Sequence, residues 1–186
     1  QTAVRKAKGL IKVYPCRVEG KGNIPEFEKD IEHIIASVYK NAKAYSLRDK
    51  DESTSTPLDS PIMTRFQLNC RSAENLMLTD DVLSSLGTNW QKLQQDIDNW
   101  LTNNVSHVHY QEMKLFKESA YSRQTHNLKE IRNDILYILG GRLSWEVAVG
   151  KVIGKLRWND STEFVQNSIY DYLSEKLVKA IIPRSK

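Results

Sequence analysis

Four histidines, two cysteines and a scatter of acidic side chains are the raw material for chemistry in this 186-residue chain. His107 and His109 flank Val108. On a strand, alternation would aim both imidazoles to one side, the beginning of a zinc site. The surrounding pattern reads instead as a helix or its leading turn, where the two rings diverge. His33 and His126 stand at no metal-like spacing from them, so neither a metal nor a cofactor is expected. A second pattern, Asp96 and Asp98 followed by Glu112-Met113-Lys114, imitates the carboxylates and Glu-x-Lys of a metal-dependent nuclease. It falls on helical segments, and charged helix faces generate such matches freely. Nucleophilic catalysis needs a base in reach and a third group to orient it. No serine sits in a Gly-x-Ser-x-Gly elbow, and neither Cys16 nor Cys70 neighbours a histidine. Gly150 and Gly154 lack the strand-then-turn context of a phosphate-binding loop. No catalytic residue is expected.

The hexapeptide Arg132-Asn133-Asp134-Ile135-Leu136-Tyr137 partly resembles the Arg-polar-x-x-x-His signature of the HEPN ribonucleases. In that all-helical family the Arg and His act at the cleaved phosphodiester. Tyr137 stands where the family has His, so the resemblance supplies no acid–base group. Arg132 and Asp134 read as solvent-face residues of an amphipathic helix.

Charge points to a different chemistry. The formal net charge is +4, yet residues 1–21 hold Arg5, Lys6, Lys8, Lys12, Arg17 and Lys21 against Glu19 alone. The rest of the chain is close to neutral, so the basic character belongs to an N-terminal arm, with residues 1–9 as its extreme. With Tyr14 among them, Arg5, Lys6, Lys8, Lys12 and Arg17 form a set able to neutralise phosphates and stack one base, which makes nucleic acid a candidate partner. Residues 48–60, RDKDESTSTPLDS, hold Leu58 as their one large apolar side chain and read as a flexible acidic loop. Thr56-Pro57 and Ser60-Pro61 within it present the dipeptide that proline-directed kinases use, making Thr56 and Ser60 phosphorylation candidates.

The elements that must position these residues follow from periodicity. Residues 10–18 read as a strand, kept to an edge by Pro15. Asn23 and Glu26 form a capping box ahead of a helix expected to reach Leu47, with Phe27, Ile31, Ile34, Ile35, Val38, Ala42 and Tyr45 on its inner face. Residues 62–70 alternate as a half-buried strand, completing a small β-α-β unit. Beyond Ser72 the chain reads as helix: one near Asp80–Leu86 ending at Gly87, one capped by Thr88 and Gln91, and one or two across residues 106–139. A last helix, capped by Asp160 and Glu163, lines up Phe164, Ile169, Tyr172, Leu173, Leu177 and Ile181. Between these lies Arg142–Trp158, apolar on two faces, which is expected as a buried central helix over about 144–158. Gly150, Gly154 and Trp158 on one of its stripes would mark close contact with another helix or a second chain.

The expected fold class is α+β and predominantly helical, in a single domain spanning 1–186: a small β-α-β unit followed by a bundle of four to six helices. No apolar run approaches the roughly 18 residues of a membrane span, and the opening QTAVRKAKG has no apolar signal core, so an intracellular protein, cytoplasmic or nuclear, is expected. Beginning at Gln1 suggests a piece of a longer chain. By elimination, the expected function is a non-catalytic helical interaction domain of a larger assembly protein, binding a protein partner or itself. Trp100, Trp158, Tyr121, Tyr170 and Tyr172 are its candidate anchors. A nucleic-acid-binding module using the basic arm is the alternative, and a hydrolase or nuclease with no recognisable motif the third.

Overall fold

The first helix, α1 (Ile24–Val38), opens with Pro25 and Glu26 in its first turn, where a missing amide and a negative charge are both favourable. It precedes two five-residue strands, β1 (Ala44–Arg48) and β2 (Met63–Gln67), which pair in parallel with Ala44 opposite Met63 and Arg48 opposite Gln67. The structure is a computed structural model and describes residues 23–38, 43–52, 55–141 and 143–185. The chain divides into two compact units. One comprises the described parts of Gln1–Arg48 and Ser53–Gln67; the other comprises Asp49–Glu52 and Leu68–Lys186.

The fold is α+β and mostly helical. Within the first unit, the helix expected to reach Leu47 ends at Val38, and residues 44–48 form β1 instead. Tyr45 continues the helix's period, but Tyr45 and Leu47 together satisfy a strand's alternation. Pairing with β2 decided between the two by giving these backbone groups ladder partners. The strand expected over 10–18 lies outside the described residues. Parallel pairing needs a long connection, which residues 49–62 supply without a helix among those described.

The second unit begins with a 3₁₀ helix (Ala73–Leu78) that periodicity missed, followed by α2 (Asp80–Ser85), which ends at Gly87 with φ +76°. Next come α3 (Trp90–Asn103), α4 (Tyr110–Glu118), α5 (Arg132–Ile138), α6 (Trp145–Ile153), α7 (Ile169–Leu173) and α8 (Glu175–Ile181). The cap of α3 is Asn89 rather than Thr88: its side chain accepts the Lys92 amide. Residues 106–139 hold two helices rather than one. The segment between them turns through Ala120 (φ +51°) and Tyr121 (φ +53°). A polar hub fixes that segment. Asn75 donates from Nδ2 to the carbonyls of Arg123 and His126, each at 2.9 Å. Arg123, nearly buried, donates to the Leu78 carbonyl and to Asp80 and lies 4.5 Å over the Trp90 ring. The expected last helix is likewise split: residues 160–167 form a turn-rich loop, Ser168 caps α7, and Ser174 (φ +71°) separates it from α8. Around these joints the core gathers Leu78, Leu83, Leu93, Ile97, Met113, Phe116, Leu128, Ile131, Ile135, Tyr172 and Val178.

The segment expected as a buried central helix is shorter and one-sided. α6 packs on α2, the 3₁₀ helix and α5. Ala148 and Val149 are buried, as is Leu156 beyond the helix end, while Leu143 and Val147 on the glycine stripe are exposed. A Cβ placed on Gly150 meets nothing within 4 Å, so no helix of the described residues closes on it. Gly154 is the C-cap, where the chain turns out of the helix. Trp158 is not helical: it forms a parallel bridge with Arg184, its amide donating to the Pro183 carbonyl, and Arg184 and Lys179 lie against its ring. A two-stripe pattern showed apolarity on both faces, but among the described residues only one face is buried along the helix. Because Gly150 sits mid-helix in open space, Gly150→Ala should stabilise the chain by about 0.5–1 kcal/mol in chemical denaturation. A loss of stability would instead reveal a surface packed against that glycine.

Candidate functional site

Two arrangements stand out, one in each unit. In the first, α1 meets the strands through a cluster of ion pairs. Glu28 is 4% exposed and is the one buried residue of the helix. Arg48 of β1 reaches its carboxylate at 2.8 and 3.1 Å, and Arg65 of β2 reaches it at 2.5 Å. Arg65 also binds Glu32, one turn further along α1, at 2.8 Å, and donates to the Leu58 carbonyl. Ser46 and Arg65 are register partners, so residues 46, 48 and 65 share the sheet face that α1 covers. Burial alone would raise the Glu28 pKa, but the hydrogen bonds and charge of the arginines outweigh it and hold the carboxyl below its usual range. The same pairing raises that of Arg65.

This clamp turns the helix. With Glu28 and Glu32 facing the sheet, the stripe Phe27, Ile34 and Val38 is 46–64% exposed, and Ile31 and Ile35 are not fully buried. On the opposite sheet face Tyr45 and Leu47 are also more than half exposed, and Tyr45 stacks on buried Phe66 at 5.9 Å. The stripe expected inside is therefore a surface feature; Ala42 lies outside the described residues. Acidic residues border it on both sides, Glu26 and Asp30 on one and Glu28 and Glu32 on the other, by their positions around the helix.

The acidic loop is more ordered than its composition implies. Ser60 donates to Glu32 at 2.6 Å and accepts the Met63 amide at 2.9 Å, and Asp59 accepts the Arg65 amide at 2.8 Å. In the second unit, Asp49 accepts the Ala73 amide, and its pKa is raised by burial and by the nearby charges of Glu74 and Asp51. Of the two phosphorylation candidates, Thr56 is exposed and Ser60 is half-buried and engaged.

The second arrangement is His107, His109 and Asp134, whose ligand-type atoms all lie within 4.8 Å of one another. Asn104 ends α3, its Nδ2 donating to the Trp100 carbonyl, and the chain then makes two successive turns. The His107 amide donates to the Asn104 carbonyl and the Tyr110 amide to that of His107. His109 becomes the N-cap of α4. Rings that would diverge on a helix thereby converge on Asp134 in the first turn of α5, with His109 Nδ1 at 2.7 Å and His107 Nε2 at 3.8 Å from its carboxylate. His107 Nδ1 accepts the His109 amide at 3.2 Å, and its ring meets Trp100 edge-on at 5.0 Å. The His-x-His spacing was the available signal. What hid the site was the turn, together with an aspartate 25 residues further along the chain from His109.

The remaining candidates separate into structural roles. Asp96 pairs with Lys92; Asp98 pairs with Tyr121 and, at 2.9 Å, with Lys117, and these contacts lower its pKa. Neither aspartate joins Glu112 in a carboxylate cluster. Arg132 of the HEPN-like hexapeptide pairs with Glu74 at 2.9 Å, and Tyr137 is exposed. Cys70 is free and buried, and desolvation pushes its thiol pKa to about 12, which leaves it inert. Among the expected aromatic anchors, Tyr172 is fully buried, and Trp100, Tyr121, Trp158 and Tyr170 are only part-exposed. The basic set Arg5, Lys6, Lys8, Lys12, Tyr14 and Arg17 lies outside the described residues. An open cleft of about 620 Å³ carries Asp80, Asp81, Lys155 and Arg157, but Asp81 is committed to the Ile169 amide and Asp80 to Arg123. No described helix is long and apolar enough to cross a membrane.

No family model matches the chain, and no curated protein or solved structure matches it.

The clamp makes the first prediction for this surface. Glu28→Gln should destabilise the first unit by about 2 kcal/mol, less than a fully buried pair loses, because both arginines keep some access to water. A carboxyl depressed in the folded state contributes stability that is present above its ordinary pKa of 4.5 and is lost as pH falls through the folded value. Denaturation curves across acid pH should show the wild-type chain losing this increment while Glu28→Gln lacks it throughout.

Proposed function

We propose that the chain is a non-catalytic protein-interaction module of an assembly protein, and that the outward stripe of α1 is its docking surface. The observation that supports this is the exposure of Phe27, Ile34 and Val38 along one helix face, which the Glu28 clamp turns away from the strands. Apolar side chains at this spacing receive an amphipathic helix laid along them. The partner's chemistry follows from the borders. Glu26 and Asp30 are exposed on one side, whereas Glu28 and Glu32 on the other are already paired with Arg48 and Arg65. A helix with a leucine-type face and lysine or arginine along the edge that meets Glu26 and Asp30 matches both features. Thr56, exposed in the loop between β1 and β2, is the site at which phosphorylation would add further negative charge to this unit. The free thiol of Cys70 agrees with a reducing, intracellular setting.

A fluorescently labelled amphipathic peptide of leucine and lysine tests the reading against a matched leucine–glutamate peptide. The basic peptide should bind and the acidic one should not. Ile34→Asp should weaken binding about tenfold or more while leaving the melting temperature unchanged, since the residue is 55% exposed. Equal binding to Ile34→Asp would overturn the proposal. So would concentration-dependent dimerisation abolished by that substitution, which would make a second copy of the chain the occupant.

A further inference from the structure

We propose that His107, His109 and Asp134 form a three-ligand site for a divalent transition-metal ion of the zinc class. Two imidazole nitrogens and one carboxylate oxygen are a borderline donor set, suited to zinc or cobalt and poorly suited to magnesium or calcium, which take oxygen ligands. Their ligand-type atoms already lie within 4.8 Å of one another, so small side-chain rotations bring three donors onto one ion.

The surroundings leave the carboxylate available. Arg132, in the same helical turn, is held by Glu74 at 2.9 Å, and the ion-pair contacts Asp134 makes among the described residues are with the two histidines. Asp134 is 18% exposed at its side chain, a position where a cation gains more than it would in open water. The ion replaces the proton shared between His109 Nδ1 and Asp134 Oδ2, which are 2.7 Å apart, and that ring carries its proton on Nε2 instead. His107 binds through Nε2 and moves its ring proton to Nδ1, giving up the 3.2 Å contact from the His109 amide. The remaining coordination positions belong to water, since the loop that carries the histidines exposes Val105 and Val108. An ion here ties the turn after α3 to the first turn of α5, and binding only the folded state raises its stability.

The experiment uses the full chain without a histidine tag, stripped of metal and titrated with Zn²⁺ by calorimetry and with Co²⁺ by visible absorbance. One equivalent should bind, with a rise in melting temperature and the absorbance of imidazole-coordinated cobalt, and excess Mg²⁺ should not compete. His107→Ala and Asp134→Asn should each weaken binding about tenfold or more. His33→Ala and His126→Ala should leave it unchanged. Asp134→Asn keeps the size of the side chain, so it reads the site even if a histidine variant unfolds. Absence of a saturable single equivalent, or undiminished affinity in Asp134→Asn, would sink the proposal.

Discussion

A buried carboxylate cannot stand alone, and the first unit is arranged around that constraint. Glu28 is nearly inaccessible to water, so the free energy of desolvating its charge must be met by partners with good geometry. Arg48 and Arg65, one from each strand, supply them. Three elements are thereby tied at one point, and the rotation of α1 about its own axis is set. The stripe that an isolated helix would bury is left facing outward.

The second unit uses the same principle with backbone groups in place of a carboxylate. Asn75 satisfies two carbonyls of an irregular segment, and Arg123 of that segment meets another carbonyl and Asp80. Each bond to a carbonyl satisfies a backbone group that helix formation would otherwise have served. The result is a set of short helices joined by fixed turns rather than a few long ones. One of those turns brings the histidines onto Asp134, so the candidate metal site is a by-product of how α3 ends.

The two sites differ in what they ask of the protein. As the proposed docking surface, the α1 stripe needs only a rigid backbone and an orientation, with the exposed Glu26 and Asp30 along one edge. The histidine cluster needs three donors held within bonding range of one ion, which a turn fixed by three hydrogen bonds can give. The most strongly shifted groups, Cys70, Tyr121 and Tyr172, belong to neither site and are shifted chiefly by burial.

Composition and period determined much by themselves: the mostly helical α+β class, the strand at β2, the breaks at Gly87 and Asn103–Asn104, and the positions of most core side chains from Leu93 to Leu177. These are local or face-averaged properties, which apolar spacing records directly. Tertiary structure decided what spacing is blind to. Tyr45 and Leu47 became strand because a partner strand satisfied their backbone. Residues 106–139 and 164–181 each divided because side chains far along the chain fixed left-handed turns within or beside them. Gly150 of α6 stayed open because no described element came to meet it. Glu28 and Asp134 are charged positions whose spacing alone suits a solvent face, and both are held by groups from other elements. A charged residue's sequence neighbours say which side of a helix it occupies; only the assembled fold says whether that side meets water, an arginine or a pair of imidazoles.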